Sequence, residues 1–68
     1  MKNRIKELRE EKKLTQKELA AEVGVSRQAI NAVENGKFEP SIWLAYDLAT
    51  FFEQSIEDIF CFEESERK

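Results

Sequence analysis

From Thr15 to Gly36 the chain reads TQKELAAEVGVSRQAINAVENG, and no other stretch limits the fold as strongly. Thr15, with Glu18 three residues on, is a capping box: the hydroxyl takes a third-position amide and the carboxylate reaches back to the Thr15 amide. Leu19, Ala20 and Val23 then recur at helical spacing, which predicts a helix over 16–23. Gly24 supplies the positive φ that often closes a helix. Ser26 caps a second helix whose inner positions are Ala29, Ile30 and Val33, and Asn35-Gly36 ends it. Two short helices joined so tightly must cross steeply, and small Ala20 leaves room at the crossing. Val25 is placed to plug the core beneath.

The flanking sequence supplies the rest of the bundle. Asn3 can cap a first helix over 3–13, with Ile5 and Leu8 inward and the charged face in solvent. Ser41 caps a fourth, in which Leu44, Ala45, Leu48, Ala49 and Phe52 form a wide apolar stripe. Ser55 with Asp58 starts a short fifth, carrying Ile56, Ile59 and Phe60 inward. The expected fold is all-α, a five-helix domain over residues 1–60 with an extension over 61–68. Helices 2 and 3 have the layout of a helix-turn-helix.

Composition removes other classes. The 68 residues suit one small core rather than a cleft between lobes. No apolar run approaches the ~20 residues needed to span a bilayer. The charged start, MKNRIKELREEKK, is unlike a secretory leader, so a cytoplasmic location is expected. With no His and one Cys, Cys61, neither a disulfide framework nor a multi-cysteine zinc site can form, and no cofactor or metal is expected. Nothing assembles into a nucleophile, a base or a phosphate-cradling loop, so an enzyme is not expected. Residues 1–40 hold nine Lys/Arg against seven Asp/Glu, a net of +2; residues 41–68 hold two against seven, a net of −5, for −3 overall. A basic front and an acidic back are compatible with one face meeting phosphate.

The strings IKELREEKKLTQKELA, GVSRQAINAVENGKFEPS, LAYDLATFF and SIEDIF, covering about residues 3–60, resemble the Cro/C1-type (xenobiotic-response-element type) helix-turn-helix regulators. The resemblance implies a repressor-like fold that binds double-stranded DNA as a homodimer, with the third helix in the major groove. Arg27, Gln28, Asn31 and Ala32, opposite Ile30 and Val33, would then read bases: Arg27 a guanine, Gln28 or Asn31 an adenine, and the Ala32 methyl a thymine methyl. Gln16, Lys17, Ser26, Asn35, Gly36 and Lys37 would meet the backbone, with Gln16 also bracing Arg27. Arg9 and Glu34 match a structural ion pair. Three positions depart from the pattern. Trp43 stands where relatives usually carry a polar residue, Asp47 where a basic one is frequent, and Glu53 replaces a frequent glycine.

A dimer surface is expected at Ile59, Phe60, Cys61 and Phe62, whose alternation suggests a short β-strand pairing across a two-fold. Cys61 is expected to be a buried free thiol. Trp43, Tyr46 and Phe51 lie off the apolar stripe, and are expected either to be covered by the N-terminal helix or the tail or to form a further partner surface. They also motivate a different reading, a protein-interaction module such as an antitoxin or adaptor. Whether a small-molecule effector binds, for instance near Trp43, is left open by the sequence. Repression by promoter occupancy is the default expectation for a chain with no sensory domain in view.

Overall fold

A computed structural model describes residues 2–61, which form five helices: α1 (Ile5–Glu11), α2 (Gln16–Val23), α3 (Arg27–Glu34), α4 (Ile42–Phe52) and α5 (Ile56–Ile59). Phe62 and the acidic tail lie outside the described residues.

Local chemistry sets most of the boundaries. Thr15 and Glu18 form the complete capping box, with Glu18 N donating to Thr15 Oγ1 at 3.0 Å and Thr15 N to Glu18 Oε1 at 2.8 Å. Ser26, Ser41 and Ser55 cap α3, α4 and α5 through the hydroxyl half of that arrangement, each accepting an amide at 3.1 Å. A cap of this kind contributes about 1 kcal/mol. Gly24 closes α2 at φ 74°.

The ends of α1 and α4 differ from expectation. α1 is shorter than 3–13, since Lys13 turns the chain at φ 59°. Asn3 stands just ahead of the helix, with its Oδ1 accepting from Ile5 N at 3.1 Å and its Nδ2 donating to Val33 O at 2.8 Å. α4 closes at Glu53 in the left-handed conformation, φ 55° and ψ 43°. The glycine is absent but the turn is kept. A side-chain-bearing residue there carries roughly 1–2 kcal/mol of steric cost.

Ile5, Leu8, Leu19, Ala20, Ile30, Val33, the five stripe residues of α4, Ile59 and Phe60 make one core, with Val23, Val25, Phe51 and Ile56 packed on its margin. α2 packs most extensively on α3. Within one chain, the segment expected to pair between subunits makes an intrachain contact at Ile59, Phe60 and Cys61. Phe60 forms an antiparallel bridge with Asn3, Arg4 N donates to Ile59 O and Cys61 N donates to Lys2 O, both at 2.8 Å. Ile59 and Phe60 are buried in their own core and so cannot offer their side chains to a partner. Hydrophobic burial within so small a chain outweighs what the β-prone alternation alone suggested. Cys61, expected buried, is an exposed free thiol.

Candidate nucleic-acid interface

The outward face of α3 is built by helical spacing. Arg27, Gln28 and Asn31 fall at i, i+1 and i+4, opposite buried Ile30 and Val33, and all three are exposed. Ala32 is only half-buried at the margin of that face. Among the described residues, the Arg27 and Gln28 side chains have no hydrogen-bond or ion-pair partner, so their donors are available to a ligand. Arg27 carries five N–H donors and Gln28 both donors and an acceptor.

Behind this face lies a polar relay. Arg9 Nε donates to Glu34 Oε2 at 2.7 Å and its Nη2 to Glu34 Oε1 at 3.3 Å, a two-point pairing of α1 with the end of α3. Arg9 Nη1 donates to Leu14 O at 2.7 Å. The Glu34 side chain is only 2% exposed and Arg9's 11%. The Arg9 pKa is raised, chiefly by the hydrogen bond to Glu34, with burial opposing. Gln16 Nε2 donates to Glu34 Oε1 at 3.0 Å, and Asn31 Nδ2 donates to Gln16 Oε1 at 3.5 Å. Asn35 Nδ2 completes the chain on Asn31 Oδ1 at 3.2 Å. Gln16 was expected to brace Arg27; instead its amide is engaged by Glu34 and Asn31. The Gln16–Asn31 contact also sets the N-terminus of α2, with its unpaired amides and positive dipole end, beside the outward face of α3.

A family model described as helix-turn-helix matches residues 5–59, most of the chain. The chain belongs to the Cro/C1-type helix-turn-helix family. Among its relatives is an uncharacterised HTH-type transcriptional regulator of Methanocaldococcus jannaschii, 52% identical over 66 residues, a match covering 97% of this chain and 100% of that protein. Another is the uncharacterised HTH-type transcriptional regulator YgzD of Bacillus subtilis, 42% identical over 64 residues, covering 94% of this chain and 97% of the relative. The fold is similar to the crystal structure of the restriction-modification controller protein C.AhdI from Aeromonas hydrophila, with TM-score 0.75, 33% identity, and coverage of 84% and 86% of the two chains. The family is one of DNA-binding regulators rather than enzymes.

In this Cro/C1-type domain the other expected backbone-contacting groups lie at the start of α2 and at the two ends of α3. Lys17 is exposed one residue into α2, Ser26 caps α3, and Asn35, Gly36 and Lys37 form the loop that follows. Gly36 has φ 72°, and Lys37 N donates back to Ala32 O at 3.0 Å, so this loop is a wound helix terminus. Sequence reasoning missed the links from Glu34 to Gln16 and from Asn3 to Val33, which join residues 18 and 30 positions apart. A buried carboxylate has more acceptor sites than one arginine fills, and that excess was the only available hint.

The aromatics of α4 divide differently from expectation. Trp43 and Tyr46 are exposed, but Phe51 turns to the core margin, edge-on to Phe52 at 5.1 Å with Lys12 Nζ 5.8 Å from its ring centroid. Ile42 and Phe38 are exposed in its place. No helix among the described residues is long and apolar enough to cross a membrane.

Proposed function

We propose that this chain is a sequence-specific reader of double-stranded DNA that acts in the cytoplasm as a homodimeric repressor. α3 enters the major groove, Arg27, Gln28 and Asn31 meet base edges with the Ala32 methyl beside them, and the α2 N-terminus with Gln16, Lys17 and the Asn35–Lys37 loop holds phosphates. The observation that carries this reading is the unengaged Arg27 and Gln28 pair on the same face as Asn31, directly beside the α2 N-terminus at Gln16. A solvated helix has no need of that juxtaposition, whereas a groove reader needs base and phosphate donors side by side. Similarity to proteins described as transcriptional regulators and to a restriction-modification controller supports the regulatory half of the proposal. Residues 1–60 form the reading domain, and 61–68 are an extension.

Selection from random duplexes tests it. The expected product is an inverted repeat with half-sites about one turn apart, whose binding weakens steeply with salt and loses base preference in Arg27→Ala. Failure to enrich any sequence at low salt would overturn the proposal.

A further inference from the structure

Glu22 stands at the wrong end of its helix. A carboxylate in a final turn faces the negative pole of the helix dipole, and the last turn of α2 holds no basic residue to offset it. Among the described residues no hydrogen bond reaches the carbonyls of Ala21, Glu22 or Val23, so that pole stays open. α4 brings a second carboxylate to the same place. Asp47 is followed at i+3 and i+4 by Thr50 and Phe51, which share its side of the helix. Neither Glu22 nor Asp47 makes an ion pair among the described residues.

These groups line one groove of about 460 Å³, bounded by residues 21–24 on one side and by Asp47, Thr50 and Phe51 on the other. Small-ligand sites occupy about 300–1,000 Å³. Its floor is apolar, since Val23 and Phe51 are half-buried and pack on the core. Its rim is acidic, and no basic residue lines it. The Phe51 ring already attracts a cation from outside the groove: the Lys12 ammonium lies 5.8 Å from its centroid, within cation–π range. Two carboxylates against that one ammonium leave a formal charge of about −1 at the site.

We infer that this groove is a binding site for a small organic amine carrying one positive charge and an apolar body. The ammonium lies between Glu22 and Asp47, and its three donors are met by the two carboxylates and an open carbonyl of the last turn of α2. The apolar body rests on Val23 and Phe51. Charge selects this class: one positive charge cancels the charge left over, an uncharged ligand leaves two carboxylates facing each other, and an anion is repelled by both. The apolar floor excludes a bare metal ion, which would leave Phe51 and Val23 wet. An occupant also ties the turn at Gly24 to α4. Gln16 lies at the opposite end of the eight-residue α2, roughly 10 Å along its axis, so the site is separate from the DNA-facing groups and the inference stands apart from the DNA reading.

The test uses the full chain without DNA, nitrogen-labelled for amide NMR and titrated with phenethylamine at neutral pH and low salt. The expected result is saturable shifts concentrated at residues 21–25 and 47–52, a rise in Tm, and affinity that weakens as salt is added. Phenethyl alcohol supplies the same body without the charge, and ammonium chloride at matched ionic strength the same charge without the body. Each is expected to bind at least about tenfold more weakly. Glu22→Gln and Asp47→Asn are isosteric changes at exposed positions, expected to keep the helicity of the free chain while each weakens phenethylamine about tenfold.

Shifts that grow without saturating, or that centre on Trp43 and Tyr46, would overturn the inference. Equal binding of phenethyl alcohol would do the same, by reducing the groove to an apolar slot indifferent to charge. Undiminished binding by the Glu22→Gln, Asp47→Asn double variant would remove the carboxylates from the site and the inference with them.

Discussion

Gln16 and Glu34 are joined by a hydrogen bond of 3.0 Å from the Gln16 amide nitrogen to the carboxylate. Because that nitrogen is held, the Gln16 oxygen faces outward and accepts from Asn31. The polarity of a surface amide is thereby set by a buried ion pair one layer beneath. Gln16→Leu removes the relay while leaving the core alone. If Asn31 reads a base, the expected effect is a loss of about 1 kcal/mol of discrimination at the base pair it addresses, the worth of one hydrogen bond, with smaller changes at other positions. Competition binding against single-base variants of the selected site measures this. A uniform loss at all positions would show that Gln16 acts only on the backbone.

The Arg9–Glu34 pair predicts an asymmetry between breaking and replacing. Arg9→Ala or Glu34→Ala strands a largely buried charge and is expected to cost about 3–5 kcal/mol, a large share of the stability of so small a domain. Arg9→Met combined with Glu34→Leu is expected to cost less than either single change. Urea unfolding of the unsubstituted chain, the two single variants and the double variant decides it. Since the Arg9 pKa is raised in the fold, its contribution is complete at neutral and moderately alkaline pH and fades only as strong alkali titrates the guanidinium.

Two left-handed residues give opposite predictions from one cause. Glu53→Gly removes the clash of a Cβ at φ 55° and is expected to stabilise the chain by about 1 kcal/mol, or roughly 4–8 °C in Tm. Gly24→Ala introduces the same clash at φ 74° and is expected to cost about 1 kcal/mol, through the backbone alone, because no atom lies within 4 Å of the added carbon. Calorimetry on both variants tests the pair. Equal signs would refute the conformational account.

Phe60 distinguishes a core role from an interface role. It is 2% exposed within one chain and its backbone bridges Asn3. Phe60→Ala is therefore expected to lower stability by about 3–5 kcal/mol. The loss should be the same at low and high protein concentration, as read by chemical denaturation. A loss that appears only where the protein self-associates would place Phe60 at a subunit contact.

What the sequence by itself determined is local in origin. The caps at Thr15, Ser26, Ser41 and Ser55, the closing turn at Gly24 and the stripe of α4 involve groups within one or two helical turns. Chain connectivity already brings these together, so residue type and spacing suffice to read them. The outward placement of Arg27, Gln28 and Asn31 is legible for the same reason, since 3.6-residue periodicity puts them opposite Ile30 and Val33. Tertiary structure decided the remainder. That Glu53 and Lys13 adopt positive φ without being glycine depends on packing that over-determines the turns. Whether Phe51 or Ile42 faces outward depends on the rotation of α4 against its neighbours, which a stripe of adjacent apolar residues leaves loosely specified. The engagement of Gln16 by Glu34, of Asn3 by Val33, and of Phe60 by the chain's own N-terminus joins residues far apart in sequence. Such contacts form only after the helices have docked, because competition for one small core then fixes which groups are buried and which polar atoms must be satisfied.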